Sequence, residues 1–370
     1  MRTQPSPGLL RLLFLLPCTA LLCACPPESP PDPDPEPIAG SEEEVLVPAE
    51  DLELEGTLLL PDRAEGELVA GVVLAHGSGP HGRDSVLPVN FPQAPGLSVA
   101  TFSDLALALQ EAGYAVLRYD KRTCGPFNGL CDNDYPTPGD LPGDLLVSHF
   151  QADAEAALDW LAARPEVDPS RLVLAGHSQG GSFPILLAEA RPELLAAGVM
   201  LAGPYQPIDA LLQFQYELNI NLLLDAGYSQ AQAEAQMTDI LALIEALADL
   251  REPPYEGSLL SPWEVAFWDE WLQMTDEAPT IAAGLDLPLL AISGDYDWNV
   301  PPEDTESWAL LFEGVESDPG HEAIVLSCVT HALNCIRDTD WLEVTPDEVD
   351  DFVSPDLIAA VLDFLDSSLD

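Results

Sequence analysis

A serine among glycines, two closely spaced acids and two late histidines are the residues whose types and order could do nucleophilic chemistry. The serine is Ser178, in LVLAGHSQGGSF, an apolar run that breaks at glycine. Gly176, Gly180 and Gly181 leave room for the sharp strand-to-helix turn that pushes a serine Oγ out above a sheet. The same turn would aim the Gln179 backbone N–H at a substrate carbonyl, at a helix N-terminus where negative charge is favoured. A serine hydroxyl needs a base, and the base needs an orienting acid. LLAISGDYDWNVPP offers Asp295 and Asp297 just past an apolar run, and His321 and His331 lie downstream. Asp, Gly and Pro also make ordinary loops, so the residues by themselves leave both acids and both histidines open. Pro184 is the awkward member of the serine stretch, because it removes a helix hydrogen bond unless it falls within the first turn.

Such residues need a scaffold that gathers strand ends. Val45–Val47 and Leu52–Leu60 read as an antiparallel edge pair. LVAGVVLAHG (68–77) is a continuous apolar run ending in glycine, as buried parallel strands are, and YAVLRYD (114–120), RLVLAG (171–176), AAGVMLAG (196–203) and LPLLAISG (287–294) read as further strands. Helical spacing separates them at Phe102–Ala112, at Phe150–Ala163 and from Gly181 onward, and SPDLIAAVLDFL reads as a last helix. This alternation predicts an α/β fold, a mostly parallel sheet flanked by helices. Between 204 and 286 only helical patterns occur, which predicts a helical cap inserted over the carboxyl ends of the strands, where open α/β sheets bind ligands. Its Phe214, Tyr216, Tyr228, Trp263, Phe267, Trp268, Trp271 and Met274 are mostly helix-packing residues, with a few expected to line an acyl or aryl pocket.

HGSGPHGRD, AVLRYDKRTCG, GHSQGG, LAGP and GDYDWNV occur in an order that resembles the α/β-hydrolase superfamily. The likeness is to secreted esterases related to dienelactone hydrolases and prolyl-oligopeptidase-like serine hydrolases, and it runs from about Glu42 to the C-terminus. It implies that the acid lies three residues after the strand-ending Gly294 and three before Val300. That selects Asp297, with Asp295 second. It also implies that His331, after a strand and before the last helix, is the base, which leaves His321 as a loop or surface residue. From HGSG the resemblance takes the Ser78 N–H as an oxyanion donor beside Gln179, with Gly77 letting the backbone approach. His76 is then structural, and His177 is expected to turn to the opposite side of the elbow and pack in the core. His81 and His149 have no supporting context. Lys121 and Arg122 read as fold-stabilising ion-pair residues. Where the family often has an acid after the serine, this chain has Gln179, which leaves the donated N–H untouched.

Compartment is written at the N-terminus. Arg2 and Arg11 precede a short apolar core, Leu9–Leu16, that Pro17 interrupts, so residues 1–25 read as an export signal rather than a membrane span. LCAC resembles a bacterial lipobox, with Leu22 three residues before Cys25 and Ala24 just before it. That resemblance makes Cys25 the lipidation site of an exported lipoprotein of the cell envelope, the alternative being an ordinary signal peptide on a secreted protein. PPESPPDPDPEP opens a Pro/acid-rich tether over 26–41, leaving 42–370 as the hydrolase domain. Seven cysteines less three in the signal leave Cys124, Cys131, Cys328 and Cys335, an even number in an oxidising compartment. Local pairing is simplest, all three connectivities stay open, and one alternative joins Cys124 to the histidine loop. A 328–335 bridge would bracket His331.

The net charge of −52, from 64 acids against 12 bases, repels nucleic acid and anionic headgroups, so the membrane partner is expected through the lipid anchor only. High-salt adaptation and an acidic, solubilising surface explain it equally. With six histidines, no HExxH and no paired cysteine spacing, neither metal nor cofactor is expected. The expected chemistry is hydrolysis of a small carboxylic ester through Ser178, His331 and Asp297. The rivals are a serine peptidase or amidase on the same residues, and a non-catalytic envelope binding protein on the same scaffold.

Overall fold

Apolar runs that end in glycine become strands buried on both faces, and their order across the sheet decides where the polar ends meet. The computed structural model describes residues 38–50, 52–89, 97–124, 145–315, 319–337 and 344–369. The readings for the export signal, Cys25, Cys131 and most of the tether lie outside them. At the end of the tether stretch, Ile38 bridges Arg63, and the first strand starts at Ser41.

Strands β1 (Ser41–Pro48) and β2 (Glu53–Leu60) pair antiparallel. β3 (Val69–Ala75) is buried throughout, and β4 (Val86–Pro88) and β5 (Ser98–Ala100) form a separate two-stranded ribbon. Next come α1 (Thr101–Glu111), β6 (Ala115–Tyr119), α2 (Val147–Ala162) and β7 (Val167–His177). A 3-10 turn at Ser178–Ser182 leads into α3 (Phe183–Ala190), and β8 (Ala197–Leu201) follows. The inserted helices are α4 (Ile208–Asp225), α5 (Gln230–Gln236), α6 (Thr238–Leu250) and α7 (Pro262–Ala282). The chain closes with β9 (Leu289–Tyr296), α8 (Pro302–Glu313), β10 (Glu322–Thr330), β11 (Asn334–Ile336), β12 (Val349–Val353) and α9 (Pro355–Leu369).

The main sheet has ten strands in the order β1-β2-β6-β3-β7-β8-β9-β10-β11-β12. From β6 to β10 all neighbours are parallel, and both edges are antiparallel. The chain goes from β3 outward to β6, then returns to place β7 on the other side of β3. That reversal opens a crevice at the carboxyl ends of β3 and β7, where open α/β sheets take ligands. Apolar side chains of the two sheet faces form separate cores, one under α2, α3 and α7, the other under α1 and α9.

Five elements went unmarked by the apolar pattern. The ribbon β4–β5 and the strands β11 and β12 are too short to show a period, and they exist through their partners. α8 has its signal in PPEDTESW, with Pro302 at its first position and Glu303 and Asp304 in its first turn. The insertion is helical as expected and carries a ring cluster. Trp268 and Trp271 stack with centroids 5.1 Å apart, and Phe267 meets both edge-on.

β9 and β10 run so close that a Cβ built on Gly294 would lie 1.9 Å from the Val329 carbonyl oxygen. Gly294→Ala is expected to destabilise the fold by roughly 1–3 kcal/mol through overpacking. Urea titration checks this, and an unchanged midpoint would refute the close approach.

Candidate active site

Ser178 follows β7 with φ +54°, a left-handed backbone that a non-glycine residue adopts only under constraint. The constraint is visible in its neighbours. A Cβ on Gly176 would sit 1.8 Å from the Gly180 carbonyl oxygen, and one on Gly180 would sit 2.6 Å from the His76 carbonyl oxygen. Gly181 lies against Gly203, where a Cβ would be 2.7 Å from the Gly203 Cα. Side chains are excluded from the floor of the turn, so the backbone folds tightly and Ser178 lines the cavity above it. Pro184 is the second residue of α3, inside its first turn, and the Gly180 carbonyl one turn earlier accepts from Phe183 N instead.

Past β9, the Asp297 side chain is fully enclosed. Its Oδ1 accepts from the backbone N–H groups of Asn299 and Val300, both at 2.9 Å. Its Oδ2 accepts from His331 Nδ1 at 2.8 Å. With one oxygen held by backbone, the other cannot swing away, and the Nδ1 proton leaves Nε2 as the basic nitrogen. Asp295 does something else: its Oδ1 accepts from Cys328 N at 2.7 Å and supports the irregularity of β10. His321 is partly buried with its ring stacked on Phe312. The structure therefore brings Asp297 to His331, and neither Asp295 nor His321 joins them.

Three successive carbonyls hold the histidine loop. His331 O accepts from His177 Nε2 at 2.8 Å, Ala332 O from Thr101 Oγ1 at 3.0 Å, and Leu333 O from Ser354 N at 2.8 Å. Here His177 departs from expectation. It is buried, but it is not turned away: its ring lies 4.7 Å from that of His331, and it lines the same cavity as Ser178. Burial holds its imidazole well below the usual histidine pKa, so the ring stays neutral and serves as a donor. The Cys328–Cys335 disulfide closes the loop around His331. That pairing corrects the alternative of a Cys124 bridge to the loop, although Cys124 is itself disulfide-bonded.

A half-open cavity of about 170 Å³ joins Gly77, Ser78, His81, Ser178, Asn299 and His331, with Leu87 and Pro88 of β4 as its apolar wall. Gly77 is tight against the elbow, where a Cβ would be 2.9 Å from Ser178 Cβ. No residue of the insertion lines this cavity, contrary to the expectation of an acyl pocket there. The insertion reaches the rim instead, where Gln215 Nε2 donates to the Asn299 carbonyl at 2.7 Å. His81, for which the sequence supplied no context, has Nε2 2.6 Å from Ser78 O. Burial, with Lys121 adding to it, lowers its pKa to about 4. His76 is structural as expected: Nε2 lies 2.6 Å from Tyr119 O and the ring stacks on Phe102. His149 caps α2, where its Nδ1 accepts from Leu146 N. Arg122 forms the expected buried ion pair, with Asp153, but Lys121 joins no ion pair among the described residues.

The chain belongs to the alpha/beta hydrolase family, whose model matches residues 72–358. It is 30% identical over 265 residues to the esterase EstD of Thermotoga maritima, a match covering 71% of this chain and 55% of that protein. The chain thus spans just over half the length of this curated relative. Among solved structures, the acylaminoacyl peptidase of Pyrococcus horikoshii is similar with a TM-score of 0.52 at 15% identity, over 90% of this chain and 42% of that one. Est1E of Butyrivibrio proteoclasticus, solved with ferulic acid, has a TM-score of 0.50 at 15% identity, over 88% and 98%. At these identities the likeness is one of fold.

If the Cys328–Cys335 bridge fixes the imidazole, a Cys328→Ser/Cys335→Ser variant should lose about 10-fold or more in turnover, as small misplacements of a reacting group do. Its far-UV circular dichroism should match the parent. Equal turnover at unchanged fold would sink the idea.

Proposed function

We propose that the chain is a serine hydrolase that cleaves carboxylic esters through Ser178, His331 and Asp297. The observation that carries this reading is the 2.8 Å hydrogen bond from His331 to a doubly anchored Asp297, with His331 sharing one cavity with a left-handed Ser178. Ser178 Oγ attacks the ester carbonyl while His331 Nε2 takes its proton. Asp297 stabilises the imidazolium that forms and keeps the ring in the useful tautomer. The Ser78 and Gln179 N–H groups take the negative charge of the tetrahedral intermediate. Gln179 suits this role because the first N–H groups of a helix have no intrahelical acceptor. The imidazolium then protonates the leaving alcohol, and water, activated by the same histidine, hydrolyses the acyl-enzyme.

Ester rather than amide is favoured by the relative named an esterase. The small cavity favours a short acyl group. Lipidation at Cys25 and a place in the cell envelope belong to the same proposal and rest on the N-terminal sequence, with the disulfide supporting an oxidising compartment.

A fluorophosphonate probe should label the wild type, and Ser178→Ala should abolish labelling. p-Nitrophenyl acetate and butyrate should turn over faster than the decanoate. Labelling without turnover of any ester in the series would reject the ester reading, and an unlabelled folded protein would reject the nucleophile. Asp297→Asn is expected to lower kcat by about 10³–10⁴-fold with little change in KM, because the neutral amide favours the wrong tautomer. Steady-state kinetics on the best ester checks this.

A further inference from the structure

Lys121 is the only lysine of the chain, and it is buried just past β6, beneath the loop that carries Gly77 and Ser78. A buried ammonium is costly unless paired, and the nearby carboxylate, Asp153, is taken by Arg122 in a two-pronged contact. Instead Lys121 Nζ donates to the Gly77 carbonyl, approaches Gln179 Oε1 at 3.4 Å and sits 4.1 Å above the centre of the Phe150 ring. Gly77 and Gln179 are not arbitrary acceptors. In a trans peptide the C=O and N–H point in opposite directions, so gripping Gly77 O turns the Ser78 N–H away from Lys121. The next carbonyl, Ser78 O, is held by His81. Gln179, the other contact, carries the second oxyanion N–H.

We propose that Lys121 is the positioning residue of the oxyanion hole: one buried ammonium ties together the two backbone segments that stabilise the tetrahedral intermediate and places a positive charge behind them. This rests on the serine-hydrolase reading above. Lys121 touches no substrate and acts through the Gly77–Ser78 peptide and Gln179.

The charge has a consequence in pH. Burial lowers the Lys121 pKa from its usual 10.5 to about 7, with Asp153 opposing the shift. The groups facing it are His76 and His81, which burial holds neutral, Tyr119, whose phenol burial pushes up, and the Arg122–Asp153 pair. The cationic form exists below the pKa, so activity should decline as pH rises through about 7. Stability runs the other way. A group whose folded pKa lies below its unfolded value destabilises when protonated, so the burden of Lys121 is full below about 7 and lifts between 7 and 10.5.

Lys121→Met separates function from structure. At pH 6.5 it should lower kcat on p-nitrophenyl acetate by about 10–100-fold with KM within about twofold, as loss of oxyanion stabilisation does. It should also keep or raise the melting temperature and remove the decline near pH 7. Lys121→Arg, cationic throughout, should recover part of the lost kcat and shift the decline to higher pH. Should the Met variant fail to fold, the Arg variant carries the test alone. An unchanged kcat in Lys121→Met, a loss confined to KM, a loss matched by a lower melting temperature, or an Arg variant retaining the decline near pH 7 would overturn the proposal. Fluorophosphonate labelling of the wild type keeps the failures apart. A wild type that does not label overturns the hydrolase reading and this inference together, whereas a labelled wild type with an unimpaired Met variant overturns this inference only.

Discussion

Two stretches of backbone meet after β7 at a distance that admits no side chain, and the site depends on that contact. Gly176 faces Gly180, Gly180 faces the carbonyl of His76, and Gly181 faces Gly203. The crowding drives Ser178 to φ +54° and brings the end of β3 beside the start of the 3-10 turn. From it follow the position of the proposed nucleophile, the neighbourhood of Ser78 and Gln179, and the crevice at the β3/β7 reversal. The local strain is of order 1–3 kcal/mol, and the buried sheet on either side is what can sustain it.

Around that contact the protein uses buried and half-buried polar side chains to hold backbone carbonyls. His76 holds Tyr119, His81 holds Ser78, Lys121 holds Gly77 and His177 holds His331. Desolvation is the shared cause of their behaviour: each imidazole is kept neutral and so can donate one proton without carrying charge. His76 and Lys121 hold the loops around the cavity from beneath, whereas His81 and His177 hold them from its wall. Asp297 belongs to the same pattern in reverse, as an acceptor fixed by two backbone donors.

Much of the fold was legible because its signals are local. A strand buried on both faces needs a largely apolar run: β3 and β8 are unbroken ones, β9 begins as one, and β6 is interrupted only by Arg118. β7 extends further back than Arg171, to Val167, which pairs with Val69 of β3 across an irregular polar stretch that no apolar pattern marks. The ribbon β4–β5 and the strands β11 and β12 are held by partners distant in sequence, and nothing in three or five residues announces that. The insertion was legible as helices, but its placement was not. Helical periodicity tells which face is apolar, not which surface it meets, and here α7 packs beside α2 and α3 while β4 walls the cavity.

The sequence by itself determined the chemistry that is available: a serine between glycines, acids after a strand, a histidine before the last helix, and cysteines that could bracket it. Those readings are legible because backbone crowding and strand burial restrict residue types at single positions. The tertiary structure decided between candidates of equal type that the residues by themselves left open. Asp297 rather than Asp295 meets His331, because the two acids leave β9 toward different neighbours, one toward the imidazole and the other toward the backbone of Cys328. His177 and Lys121 acquired their partners in the same way. A hydrogen bond to a carbonyl some forty to a hundred and fifty residues away depends on the folded path of the chain, and no local pattern encodes that distance.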